Sequence, residues 1–165
     1  MNYPTSLLED WIKDFYYDIG IFHPHQLDLT EIAYRLGMVV SFENMSSRIY
    51  KEKVIIDERL PTQEQWEDFG HELCHALRHF GNQMIMSEEF LQLQEFQARY
   101  FSLHFCIPTF MLQNLKFPFT RGQAIHLIAE TFKVTYLFAK RRLEMYESKI
   151  SSTFFYEELY KAYKE

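Results

Sequence analysis

The 165-residue chain has only two cysteines, Cys74 and Cys106, and they form no C-x-x-C pair. That excludes a disulfide framework and a cysteine-based zinc ribbon, and two free thiols suit a reducing cytosol. Glycine and proline are scarce as well, five of each, so collagen-like, linker-rich and low-complexity architectures are out. Basic residues number 17 against 23 acidic ones, a formal charge of −6. A chain with this balance lacks the basic face that broad nucleic-acid binding requires. No run approaches the ~18 uncharged apolar residues of a membrane span. The opening Met1-Asn2-Tyr3-Pro4 leads into no charged-then-apolar signal, so the expected setting is cytoplasmic, away from any membrane.

What is plentiful is core-forming material. Hydrophobic residues make up 47% and aromatics 18%, with 16 Phe and 11 Tyr, enough to pack one globular domain with a helical appendage. The expected division is a core over 1–115 and a C-terminal helical region over 116–165. At the centre of the chain stands His71-Glu72-Leu73-Cys74-His75. Residues four apart lie about one turn apart on one helix face, so both imidazoles can reach a single ion. Glu72, next to the first of them, is placed to work on water beside the ion without ligating it.

The flanking sequence builds a helix for this motif. Pro61-Thr62-Gln63-Glu64-Gln65 is a helix start, with Thr62 and Gln65 at capping-box spacing and Glu64 favouring the N-terminal dipole. Trp66, Phe69, Leu73, Leu77 and Phe80 form the apolar stripe, and Gly81 is the stop. Upstream, Thr5 or Ser6 caps a helix that ends at Gly20, and Asp28 opens a second that ends at Gly37. Met38 to Phe42, Arg48 to Tyr50 and Val54 to Asp57 read as strands. Their closeness predicts a small three-stranded antiparallel sheet, whose edge suits main-chain pairing with an extended peptide. Downstream, a helix from Ser87 or Glu88 to about Phe105 ends before Pro108. Two or three further helices follow: 123–132, 135–150 and a polar-aromatic tail. The fold class is therefore α+β, with helices packed on the sheet.

Two histidines do not complete a catalytic zinc site, which commonly has three protein ligands and one open position. Glu95 is the best third ligand. It lies far enough beyond His75 for the first helix to end and a second to run back, and the small Ala98 and Ser102 on its face permit close approach. Glu88 and Glu89 fit the start of that helix as dipole-compensating surface acids. His79 drifts around the helix, and His104 is a weaker outside candidate. Cys74 points about 100° away from His75 and reads as a buried thiol. Asp68 either orients His71 or is an exposed helix charge. With zinc held by His71, His75 and Glu95, Glu72 is the general base of a hydrolase.

Three segments carry a resemblance. Glu67-Asp68-Phe69-Gly70-His71-Glu72-Leu73-Cys74-His75, then Glu95-Phe96-Gln97-Ala98-Arg99-Tyr100-Phe101, then Ile107-Pro108-Thr109-Phe110-Met111-Leu112 resemble, in this order, the ImmA/IrrE family of metallopeptidases. The likeness runs over about 28–145 and places the family's zinc ligands on His71, His75 and Glu95 and its catalytic glutamate on Glu72. It implies a zincin-like core, Zn²⁺ as cofactor and a bacterial cytoplasmic setting. It also implies an anti-repressor protease of integrative elements and prophages, whose partner and substrate is a helix-turn-helix repressor. Where the broader zinc-peptidase pattern puts an acid four residues after the third ligand, this chain has Arg99, so support for His71 must come from elsewhere.

The stretch from Gln123 to Leu143 has a helix-turn-helix rhythm and includes Lys140-Arg141-Arg142. Three basic residues against an acidic total make direct DNA binding the weaker reading, and packing or repressor docking the stronger. The alternative from another class is a non-catalytic anti-repressor that sequesters its repressor.

Overall fold

The computed structural model describes residues 3–78 and 87–163. The first helix, α1 (Leu7–Asp18), begins at a complete capping box. Ser6 Oγ accepts from the Glu9 N–H at 3.3 Å, and Glu9 Oε2 accepts from the Ser6 N–H at 2.7 Å. Helix α2 (Leu29–Arg35) is capped by Asp28 and closed by Gly37, whose φ of 73° only glycine adopts without strain.

Three strands follow: β1 (Val39–Glu43), β2 (Arg48–Tyr50) and β3 (Lys53–Asp57). They lie within a residue or two of the expected runs, but the expected antiparallel arrangement is corrected in one respect. β2 pairs with β3 antiparallel, whereas β1 pairs with β3 parallel, in the order β1-β3-β2. Burial supplies the reason. β3 carries Val54 and Ile56, both fully buried, and so takes the centre, while β1 and β2, which have no fully buried residue, become edges.

Helix α3 (Thr62–Arg78) crosses the sheet against β2 and β3. Its start differs in detail from the expected capping box. Thr62 is already helical, and the Gln65 amide donates to the carbonyls of Leu60 and Asp57 at 3.1 and 3.3 Å. Trp66, Phe69 and Leu73 are buried as expected, and Leu77 packs against them. Phe80, Gly81 and His79 lie outside the described residues. Helix α4 (Glu88–Cys106), capped by Ser87, returns antiparallel to α3, with Glu88 and Glu89 in its first turn. Its buried face stacks Phe101 on Phe105 and Phe105 on Tyr16 of α1, whose hydroxyl donates to the Phe105 carbonyl at 2.8 Å.

After Pro108 come a short α5 (Thr109–Leu112), then α6 (Arg121–Phe132) and α7 (Tyr136–Ala162). The aromatic tail is not a separate element. It continues α7 as a 27-residue helix, since no glycine or proline interrupts it. The expected boundary near 115 falls in the connection between α5 and α6. Beyond it, α7 is tied back to the rest by a fully buried Arg142. This residue donates to the Ile107 carbonyl at 3.1 Å and to Thr109 Oγ1 at 2.7 Å. Among the described residues no helix is long and apolar enough to cross a membrane.

Candidate metal centre

Helices α3 and α4 approach most closely where the sequence places its smallest side chains. Ala98 and Ser102 are buried in the contact, and Ser102 Oγ donates to the Glu67 carbonyl at 2.8 Å. The structure adds a residue on the opposite helix. A Cβ built on Gly70 would stand 3.0 Å from both Cys106 Sγ and Ser102 Oγ, so glycine is what lets the helices close. The signal was visible as the residue before His71, but its partner on α4 was not.

This approach brings Glu95 across from the two histidines. Glu95 Oε2 lies 3.1 Å from His71 Nε2, and its Oε1 lies 3.0 Å from His75 Nε2. The two Nε2 atoms are 3.2 Å apart. Ligand atoms around a tetrahedral ion at 2.0–2.1 Å are separated by about 3.3 Å, so the three donors stand at the spacing of one coordination shell. Two imidazoles and a carboxylate are also the donor set of a catalytic zinc site with one open position. The residues present fit a divalent cation. Among the described residues His71, His75 and Glu95 are the only such group.

The other candidates fall elsewhere. His104 is buried beside Glu9, with its Nδ1 3.9 Å from the carboxylate. Burial first, and the Arg142 charge second, push its imidazole down to about 3. Cys74 is buried and outside the metal group. Asp68 is half-buried at the rim and, among the described residues, makes no ion pair with His71.

Glu72 stands beside the group in a cavity of about 550 Å³, bordered also by Ser46 and Ser47 before β2, by Glu67 and Asp68, and by Phe138 of α7. Burial pushes its carboxyl up to about 7, and the charges of Asp68 and Glu95 add to the rise, while Arg48 opposes it. A carboxyl poised near neutrality suits a proton acceptor that must also return the proton. Sequence reasoning missed Glu67. Its carboxylate accepts the Thr135 N–H at 2.6 Å, so the first turn of α7 is anchored to the motif helix. Burial raises this carboxyl, and the Thr135 bond works against the rise. The run Lys140-Arg141-Arg142 forms no basic face, for Arg142 is wholly buried and Arg141 borders the cavity.

An α+β core that presents H-E-x-x-H on one helix and a facing carboxylate on the next has the plan of a metallopeptidase. Comparison with known proteins makes this specific. The chain belongs to the Peptidase_M78 family, whose IrrE N-terminal-like domain matches residues 25–144. It is 46% identical over 146 residues to the phage-like element PBSX protein XkdA of Bacillus subtilis (strain 168), covering 86% of this chain and 74% of that one. To YqaB of the same organism it is 39% identical over 159 residues, covering 94% and 92%. A Mycobacterium tuberculosis transcriptional regulator shares the fold, with a TM-score of 0.60 at 15% identity over 82% of this chain. The chain spans 55% of that regulator's length.

Proposed function

We propose that the chain is a zinc-dependent endopeptidase of the cytoplasm that cleaves a helix-turn-helix repressor of a mobile genetic element and so relieves repression. The observation that carries the chemistry is the placement of His71, His75 and Glu95 at ligand spacing with Glu72 alongside. The mobile-element setting is supported by the likeness to a protein described as part of a phage-like element.

A cation held by the three donors supplies Lewis acidity, acidifying water and polarising a carbonyl. Glu72 accepts a proton from the attacking water on a carboxylate oxygen and then delivers it to the nitrogen of the leaving amine. The edge strand β2 lies against α3, with Ser46 and Ser47 at the cavity. It offers main-chain donors and acceptors to a substrate held extended. Helices α6 and α7 carry the docking face, and direct DNA contact is not part of this reading.

Glu72→Gln is expected to retain zinc yet lower repressor cleavage by at least about 100-fold, the usual contribution of a general base. Glu95→Ala is expected to lower zinc stoichiometry, read by elemental analysis. Undiminished cleavage by the first variant, or full zinc in the second, removes that residue from its role. If Glu72→Gln derepresses as well as the parent, the protein acts by sequestering the repressor instead.

A further inference from the structure

Helix α7 outruns the body of the protein. From Phe154 to Tyr163 every residue is exposed, yet this stretch is rich in aromatics. At about 100° per residue, Phe155, Tyr156, Leu159, Tyr160 and Tyr163 fall within one arc of about 140°, over roughly two and a half turns. Their exposure runs from 49% at Leu159 to 95% at Tyr163. The charged Glu157, Glu158 and Lys161 lie outside that arc. The other side of the helix is the one turned to the body, where Thr153, Phe154 and Glu157 border a groove with Tyr3 and Gln113. The aromatic stripe therefore faces away from its own chain.

We propose that this stripe is the contact with a second copy of the chain, the two α7 ends lying antiparallel across a two-fold axis at Leu159. Leu159 stands midway between Phe155 and Tyr163. An antiparallel copy thus sets Phe155 of each chain against Tyr163 of the other and Leu159 against itself. The face is complementary to itself, as an isologous contact demands. Its size also suffices. An aromatic side chain hides about 150–250 Å² when buried, so covering five such partly exposed residues on both copies removes roughly 1,300 Å² from water. That lies within the range of specific, stable interfaces, about 1,200–2,000 Å². The charges disfavour a lipid surface, because a helix lying on a membrane carries Lys and Arg on its polar face, whereas this one carries two acids and one base. The stripe begins about 21 Å along α7 from Arg141 at the cavity, at 1.5 Å per residue. Pairing there leaves the metal group open, and the inference does not depend on the peptidase reading.

The test is sedimentation velocity on the full, zinc-loaded chain. Its mass is expected to rise from one chain toward two, with half-association at roughly 1–50 µM. Leu159→Glu and Tyr160→Glu set like charges across the axis and are expected to weaken association at least about 30-fold. Lys161→Gln, outside the arc, is expected to leave it unchanged. All three positions are exposed, and far-ultraviolet circular dichroism checks that the variants stay folded. Leu159→Cys is expected to cross-link to itself through a short bismaleimide, and Lys161→Cys is not. The native Cys74 and Cys106 are buried and add no background. A chain that stays monomeric at about 100 µM, a dimer indifferent to both glutamates, or cross-linking at 161 in place of 159 overturns the inference. So does a monomer whose stripe instead holds phospholipid vesicles or the repressor, lost in the same variants, which assigns the surface to that partner.

Discussion

In the metal-free protein the Glu72 carboxyl stands at about 7, against 4.5 for an ordinary glutamate. Below 4.5 both folded and unfolded chains carry the proton, and nothing is lost. Between the two values the unfolded chain alone ionises, so stability falls as pH rises and levels off above about 7. Glu72→Gln removes this slope. Urea unfolding of chelator-treated protein at pH 5 and pH 8 is expected to show the variant gaining roughly 1–2 kcal/mol on the parent across that window, a figure reduced for partial exposure. Titration of His104 occurs in both proteins and cancels from the comparison. A gap between variant and parent that stays constant with pH would mean that Glu72 is fully hydrated.

Two contacts at the level of elements hold the site. The α3–α4 pair depends on Gly70, where any side chain meets Ser102 and Cys106 at 3.0 Å. Gly70→Ala favours the helix intrinsically but wedges the pair, and the expected net cost is about 1–2 kcal/mol. The same wedge moves Glu95 away from the histidines. Zinc affinity should therefore fall in a competition with a chromogenic chelator, more than for Gly122→Ala, where a Cβ meets nothing within 4 Å. The α3–α7 contact depends on Glu67 and the Thr135 N–H. The α3–α4 hairpin was legible, since H-E-x-x-H, the Ser87 cap and the Glu95-Ala98-Ser102 face all follow helical spacing. The strand pairing was not, because alternation and turn residues specify strands without saying which neighbour each will take.

For the molecule as a whole, the N- and C-terminal parts are joined by buried polar groups. Glu9 accepts from Tyr3, Thr109 and Lys149, and Arg142 shares Thr109 from the opposite side. Burial alone would raise the Glu9 carboxyl, but these bonds and the Ser6 N–H together hold it well below the usual carboxylate range. Replacing Arg142 with Met keeps an unbranched apolar stem and removes the charge and its donors. It leaves the Ile107 carbonyl and Thr109 hydroxyl short of a partner in the core. Denaturant unfolding is expected to show a loss of about 3 kcal/mol, and a loss under about 1 kcal/mol would mean that the network is dispensable. The far end of α7 stands out from this core, with Phe154, Phe155, Tyr156 and Tyr160 exposed.

The sequence by itself determined that the two candidate histidines stand together, because four-residue spacing on an amphipathic helix puts two imidazoles on one face whatever surrounds them. It also determined the helix that returns Glu95, since small residues repeat along its inner side. Only the tertiary structure decided that β3 would sit between β1 and β2, as burial of Val54 and Ile56 outweighs chain order. The fate of Lys140-Arg141-Arg142 was decided there too. Adjacent residues on a helix point about 100° apart, and only the packing of α7 could send Arg142 into the core and Arg141 to the cavity beside His71-Glu72-Leu73-Cys74-His75.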